Sequence, residues 1–578
     1  MSDRDSSRED GRASQAGPDA GWAGRGKAAT KTRGRPLDHD ALAEVVALTG
    51  EAPQRDRLIE HLHQLQDRHG HLSARHMRAL ADLLRVGQAE IFEVASFYHH
   101  FDIVKEGDTP PPPVTVRVCN SLPCRIAGAE ALLADLIHRT EGAPVRIQPV
   151  PCVGRCAEAP VAVVTRHPVG NATPETVIAA LQAGLREDRL SPLAIGLAAY
   201  RAAGGYQLLE AVRAHPERLK DVIAAISDAG LRGLGGAGFP AGRKWQIVRG
   251  FPAPRYMTVN ADEGEPGTFK DRHHLERDPH RFLEGCLIAA EAVAAERIVI
   301  YLRDEYAGVR LLLAREIAAL EDAGLAKPGL IDLRRGAGAY VCGEESAMLE
   351  SIEGKRGLPR LRPPYIAEHG LFGRPTLNHN VETLYWIRDI VERGADWFAR
   401  QGMNGAKGLR SWSVSGRVQH PGVVVAPAGI TAAELIARAG GMAEGHRLKA
   451  YLPGGASGGI LPASLAHLPL DFGTLAEHGC FVGSHALIVL SDQDDIGKAA
   501  LNLMQFFRHE SCGQCTPCRA GTEKAATLMQ RPVWDAGLLT ELASVMQDAS
   551  ICGLGQAAPN PMLSVLRFFR DEVTGGRA

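Results

Sequence analysis

The stretch from Gly230 to Asp271 constrains this chain more than any other. Five glycines fall within the nine residues from Gly230 to Gly238, in Gly230-Leu-Arg-Gly-Leu-Gly-Gly-Ala-Gly-Phe-Pro. A backbone without Cβ atoms can come close to a ligand and turn its N–H groups on an anion. Lys244 follows with a compact positive charge of the kind a phosphate needs. A second motif, Asn260-Ala-Asp-Glu-Gly-Glu-Pro-Gly-Thr-Phe-Lys-Asp, puts Asp262, Glu263 and Glu265 on a loop after the short apolar run Tyr256–Asn260. Together they imply a phosphate-bearing cofactor held by glycines, its polar ring system facing carboxylates and an amide. Gly233, Gly235 and Gly238 also match the G-x-G-x-x-G dinucleotide pattern, which carries weight only after a strand. Here Leu219, Val222, Ile223 and Ile226 precede it, spaced for one face of a helix. An ordinary Rossmann motif is therefore not expected, and a phosphate loop is.

A chain of 578 residues calls for several domains, because single cores rarely grow beyond about 250–300 residues. The formal net charge of −2 gives no electrostatic reason to expect nucleic acid as a partner. No apolar run approaches the roughly 18 residues of a membrane helix, so no direct membrane insertion is expected. The first residues lack the apolar core of a secretory signal. Eleven cysteines, an odd number in tight groups, suit metal ligation in a reducing compartment better than a disulfide framework. The cytoplasm is the expected location.

Taken in order, residues 1–36 have almost no large apolar side chains and read as a disordered tail. Residues 37–110 read as a helical bundle: Leu58, Ile59, Leu62 and Leu65 share a face, and Ser73 is placed to cap the next helix. Residues 111–190 run strand, helix, strand, strand, helix, with Cys119 ending the first strand, Cys124 on a loop, and Cys152 and Cys156 after the second. That order resembles a thioredoxin-like ferredoxin domain. The C-x₄-C…C-x₃-C spacing suits a [2Fe–2S] cluster or zinc, and tilts towards iron–sulfur because tetrathiolate zinc favours short paired knuckles.

Residues 191–408 alternate helices and strands, the pattern of an α/β domain on a largely parallel sheet. Such sheets bind ligands beyond their carboxyl ends. Both Asn260–Glu265 and Gly336-Ala-Gly-Ala-Tyr-Val-Cys-Gly-Glu-Glu-Ser fall there, which makes one site the economical reading. The Pro-interleaved basic loop from Lys355 to Tyr365 offers charge and a ring for nucleotide contact. Residues 409–492, short strands around one helix, resemble a β-grasp (ubiquitin-like) module with a spacer role. Residues 493–578 are helical again and carry Cys512, Cys515 and Cys518 at C-x₂-C-x₂-C with a distant Cys552, the ligand pattern of a [4Fe–4S] cluster. The fold class expected is thus a multidomain α/β chain.

With these motifs in hand, residues 219–570 resemble the FMN- and NADH-binding subunits of complex I. Relatives in the same family are the diaphorase subunits of NAD-reducing hydrogenases and NAD-dependent formate dehydrogenases. Residues 38–190 resemble the 24 kDa-type [2Fe–2S] subunits of these complexes, fused in front. Gly238-Phe-Pro-Ala-Gly-Arg-Lys-Trp, Tyr451-Leu-Pro-Gly-Gly-Ala-Ser-Gly-Gly-Ile and Ser550-Ile-Cys-Gly-Leu-Gly-Gln-Ala-Ala-Pro-Asn-Pro are similar to formate dehydrogenase beta subunits. The resemblance implies FMN, NAD, a [2Fe–2S] and a [4Fe–4S] cluster, and a molybdenum- or tungsten-containing alpha subunit with further iron–sulfur clusters as partner.

By the same resemblance Gly233, Gly235, Gly236, Gly238 and Lys244 hold the FMN phosphate and ribityl. Asn260, Asp262, Glu263, Tyr340, Gly343, Glu344, His379 and Asn380 lie on the flavin side. Phe239, Arg362 and Tyr365 meet NAD, with Glu265 and Glu345 shaping the nicotinamide site. Three positions depart from the complex I pattern: His379 replaces an asparagine, Arg362 a lysine and Tyr365 a phenylalanine.

Overall fold

The computed structural model describes residues 35–575. The tail expected over residues 1–36 therefore lies, apart from its last two residues, outside the described residues.

The helices His39–Thr49, Leu58–His69, Ala74–Leu84 and Gln88–Phe97 form the N-terminal bundle. Ser73 accepts the His76 N–H at 3.3 Å and so caps the third. The apolar faces of this bundle do not close on themselves. Leu62, Leu80 and Tyr98 share one core with Val299, Tyr301, Val341 and Met348 of the next α/β domain. Polar contacts lock that seam: the Tyr98 hydroxyl donates to the Lys355 carbonyl at 2.7 Å, and the buried Arg334 reaches Glu60 at 2.7 Å and Asp56 at 3.2 Å.

The ferredoxin-like sheet has the order Val145–Val150, Val114–Cys119, Ala162–Val164, His167–Val169, with only the first pair parallel. The sequence places Cys124 on a loop. It lies instead in a short helix, Leu122–Ile126, whose first turn is preset by Pro123.

The central α/β domain carries a four-stranded, wholly parallel sheet in the order Thr376–Asn380, Arg255–Ala261, Ala295–Leu302, Ile331–Arg335. The helix Leu219–Asp228, not a strand, precedes the glycines, which leaves the Rossmann motif without its required strand. A five-stranded sheet around the helix Ala432–Arg438 follows, and then a helical region, Ile496–Glu510 to Arg570–Thr574. Among the described residues no helix is long and apolar enough to cross a membrane.

Candidate functional site

The glycine stretch is a closed loop. Gly233 N–H donates to the Phe239 carbonyl at 2.9 Å, Ala241 N–H to that of Leu231 at 2.9 Å, and the helix Ala241–Arg249 begins at once. Gly238 has φ +65°, and a Cβ there would lie 2.6 Å from the Phe472 ring, so only glycine fits. Among the described residues nothing accepts from the N–H groups of Gly235, Gly236 or Ala237. Three free donors on a cavity wall, with Lys244 in the following helix, fit a phosphate.

Two adjoining cavities open from this loop. One, of about 820 Å³, is lined by Phe239, Lys244, Glu345, Arg362 and Tyr365. The other, of about 590 Å³, is lined by Asp262, Glu265, Lys270, Tyr340 and Ser457. Gly235, Asn260, Gly343, Glu344 and Asn380 form the wall they share. Both sit beyond the carboxyl ends of parallel strands, where such sheets take ligands.

The structure divides two residues that the sequence grouped. Glu345 faces the larger cavity beside Lys244 (3.9 Å) and Arg362 (3.4 Å), and Arg362 also pairs with Glu344. Glu265 faces the smaller one. Its Oε1 accepts from the Ser457 N–H and hydroxyl, both at 2.7 Å, and the Tyr340 hydroxyl donates to Oε2. Ser457 belongs to the β-grasp module, so that module builds a wall of the site. It is more than the spacer expected.

Other acidic and amide groups differ in how free they are. Asp262 Oδ2 is buried with no partner among the described residues, and burial pushes this carboxyl well above the usual range. Such an orphaned atom fits a cofactor that donates to it. Asn260 Nδ2 donates to the Gly343 carbonyl at 2.8 Å, tying the two ligand loops together. Glu263 is bonded at both carboxylate oxygens. Its oxygens accept from the Asp271 N–H (2.7 Å), the Arg272 N–H (3.1 Å) and the Tyr306 hydroxyl (2.8 Å). It therefore anchors the helix Lys270–Arg277 while lining the smaller cavity.

Asn380 is similarly occupied, donating to Asp271 at 2.6 Å and accepting the Glu382 N–H at 3.0 Å, while its Cβ closes on Gly235. His379 accepts from Trp245 Nε1 at 2.6 Å, and burial holds its imidazole neutral. The departure from asparagine thus comes with a partner on the helix after the glycine loop.

Sequence reasoning missed Lys270. It is buried, 2.8 Å from Asp271, 3.0 Å from Glu382 and 3.4 Å from Asn380 Oδ1. Nothing local marked it, because Glu382 and Asn380 lie more than a hundred residues away.

The cysteines form two sulfur-only groups. Cys119, Cys124, Cys152 and Cys156 are all buried, with Cys152 and Cys156 sulfurs 3.4 Å apart and the Cys119 thiol against those of Cys124 and Cys152. Cys512, Cys515, Cys518 and Cys552 converge in the C-terminal helical region, three of them partly exposed. A Cβ on Gly555 would lie 2.8 Å from Cys518 Cβ, so glycine lets that loop close over the group. Four thiols and no imidazole in each set fit iron–sulfur clusters. Cys286, Cys342 and Cys480 are buried apart from both sets.

Comparisons with known proteins match four stretches of the chain. Residues 226–389 match the Nuo51 FMN-binding domain, 44–184 the thioredoxin-like [2Fe-2S] ferredoxin, 413–461 the SLBB domain, and 498–575 the NADH-ubiquinone oxidoreductase-F iron-sulfur binding region. The chain is 39% identical over 393 residues to an F subunit of NADH-quinone oxidoreductase from Rhizobium meliloti, covering 65% of this chain and 93% of that protein. It is 42% identical over 369 residues to the F subunit of the Rickettsia typhi NADH-quinone oxidoreductase, covering 61% and 88%. The crystal structure of an NAD+-reducing [NiFe]-hydrogenase in the H2-reduced state matches with a TM-score of 0.78 at 31% identity, over 91% of this chain and 93% of that one.

Fold, cavities and sulfur groups therefore define an iron–sulfur flavoprotein of the NADH dehydrogenase class, with FMN, NAD(H), a [2Fe–2S] and a [4Fe–4S] cluster as its cofactors. Within that class the chain belongs to the family of NADH-quinone oxidoreductase F subunits, with a [2Fe–2S] domain fused in front.

Proposed function

We propose that this chain is the diaphorase subunit of a cytoplasmic NAD-dependent formate dehydrogenase, working with a molybdenum- or tungsten-containing subunit. FMN, when bound, exchanges a hydride with nicotinamide and single electrons with iron–sulfur clusters. The N–H groups of Gly235, Gly236 and Ala237 and the Lys244 ammonium hold its phosphate. Asp262, whose Oδ2 lacks a partner among the described residues, would accept a hydrogen bond from FMN, and Asn260 keeps the two ligand loops in register. Phe239, Arg362 and Tyr365 bind NAD(H) in the larger cavity, where the Glu345 carboxylate meets Arg362 and limits how far that cation swings. Glu265, fixed by Ser457 and Tyr340, positions the smaller cavity's wall against the nicotinamide end.

The Cys119 set holds the [2Fe–2S] cluster. The Cys512 set holds the [4Fe–4S] cluster from which electrons reach the partner.

The observation that carries this reading is the pair of adjoining cavities between an N–H-lined glycine loop and two separate four-thiol groups. The formate assignment rests on the three stretches similar to formate dehydrogenase beta subunits. A second reading, a hydrogenase diaphorase, is favoured by the 91% of this chain that the hydrogenase structure covers, N-terminal domain included. Purification of the native complex separates them. Formate-dependent NAD+ reduction with molybdenum or tungsten present is expected; hydrogen-dependent reduction with nickel would overturn the formate reading.

A further inference from the structure

Two arginines of the flavin domain reach into the loop that carries Cys152 and Cys156. Arg303, directly after the strand Ala295–Leu302, is only 4% exposed. One of its terminal nitrogens donates to the Cys152 carbonyl at 2.6 Å, and the other donates to the Glu263 carbonyl. Glu305 closes the remaining edge at 2.7 and 3.2 Å, and the guanidinium lies 5.1 Å from the Tyr306 ring centre. Arg272 repeats the connection beside it. Its Nε donates to the Gly154 carbonyl at 3.0 Å while its backbone N–H donates to Glu263 at 3.1 Å. Gly154 has φ +72°, and a Cβ there would lie 2.2 Å from the Tyr306 hydroxyl, so the loop seats against the flavin domain only as glycine.

The two cations are balanced differently. Arg272 meets two carboxylates, Glu276 at 3.1 Å and Glu158 at 3.3 Å. Arg303 meets Glu305 alone, at 2.7 Å. Its fork ends on the backbone of a cluster cysteine at one prong and on the acidic loop of the flavin cavity at the other. A guanidinium suits this role, because its planar donors fix two acceptors at once while the charge stays on in any protein setting.

We propose that Arg303 is a positioning residue for the [2Fe–2S] centre: it ties the Cys152 loop to the Glu263 loop and raises that cluster's reduction potential. This rests on the [2Fe–2S] reading of the four N-terminal cysteines. Reduction of the cluster takes up one electron at one ferric ion, which becomes ferrous, and no bond is made or broken. The electron comes from NADH oxidised at the flavin site. The reduced cluster is more negative by one charge, so a buried cation at its edge favours it, and net charge and hydrogen bonding around the sulfurs set such potentials.

The test is an anaerobic redox titration of the full chain, with both clusters read by EPR in the same samples. Arg303→Gln shifts the [2Fe–2S] midpoint to more negative values, Arg303→Lys restores most of the shift, and the [4Fe–4S] midpoint and FMN content stay as in the parent protein. Glu305→Gln, which removes the counter-charge and keeps the arginine, shifts the same midpoint the opposite way. Loosening of the loop would move both variants in one direction, so opposite signs support a charge effect. Arg303→Gln at the parent midpoint with its cluster intact overturns the proposal. If that variant loses its cluster, Glu305→Gln decides: a positive shift supports the proposal, and no shift or a negative one overturns it. A parent protein lacking any [2Fe–2S] signal contradicts the cluster reading itself, a different failure.

Discussion

The two sulfur groups hold the same number of thiols in opposite settings. Cys119, Cys124, Cys152 and Cys156 are each at most 3% exposed, and Arg303 and Arg272 hold their second loop from the flavin domain. Cys512, Cys515 and Cys552 are partly exposed, in a domain whose Tyr340 contacts reach back to the flavin cavity through Phe506 (5.0 Å between ring centres) and Glu510 (2.9 Å). Burial and clasping suit a centre that exchanges electrons only within the chain. Partial exposure suits one that hands them to another protein. On that contrast the C-terminal group is the proposed exit to the partner.

The largest expected effect breaks that comparison at the exit. Cys515→Ser takes a thiolate from the C-terminal cluster and abolishes NAD-coupled turnover with the partner subunit. NADH oxidation by ferricyanide, which draws electrons directly from flavin, is retained. The comparison is made on protein of measured FMN occupancy, and coupled turnover that survives without the cluster would move the exit to the N-terminal group.

Next is the clasped side. Cys124→Ser removes one spectral component and leaves FMN in place, because the flavin cavities draw no side chain from the Leu122–Ile126 helix. It is made in the full chain, since the bundle shares its core with the flavin domain. Zinc in place of iron at this site would refute the assignment.

The seam behind that cluster is titratable. Burial lowers the His63 pKa from the ordinary 6.5 to about 3, with the ring held 2.8 Å from the Gly336 carbonyl. The unfolded chain thus binds this proton more tightly. The stability contribution is whole above pH 6.5 and is lost as pH falls towards 3, on the order of 5 kcal/mol across that window. Chemical denaturation at several pH values should show this slope, and His63→Gln should flatten it. An unchanged slope would place the acid sensitivity elsewhere.

The smallest effect is at Glu265. Glu265→Gln keeps an oxygen for Ser457 but sets an amide against the Tyr340 hydroxyl, a loss of about 1 kcal/mol, or roughly fivefold in kcat/KM for NADH. FMN content should not change. Loss of FMN would mean that Glu265 serves the flavin instead.

Much of the fold was legible because its signals are local. The helix Leu219–Asp228, each strand and helix between Arg255 and Arg335, and the C-x₂-C-x₂-C run carry their signals within their own short spans. The strand Thr376–Asn380 did not. Its side chains are Thr, Leu, Asn, His and Asn, so neither alternation nor an apolar run marks it. It forms because Leu377 enters the core while His379 and Asn380 meet Trp245 and Asp271. Asp262, Glu263 and Glu265 look alike in one dimension. Only distant partners separate them: none for Asp262 Oδ2, Tyr306 and the Arg272 backbone for Glu263, Ser457 for Glu265. Lys270 was illegible for the same reason.

The response of the intact chain to NADH separates a redox flavoprotein from a zinc-stabilised scaffold. In an anaerobic titration followed by visible absorbance and low-temperature EPR, NADH is expected to bleach a flavin band and to reduce two distinct iron–sulfur centres, one [2Fe–2S] and one [4Fe–4S] per FMN. A colourless protein that holds zinc, with no spectral response to NADH, would contradict the flavoprotein reading.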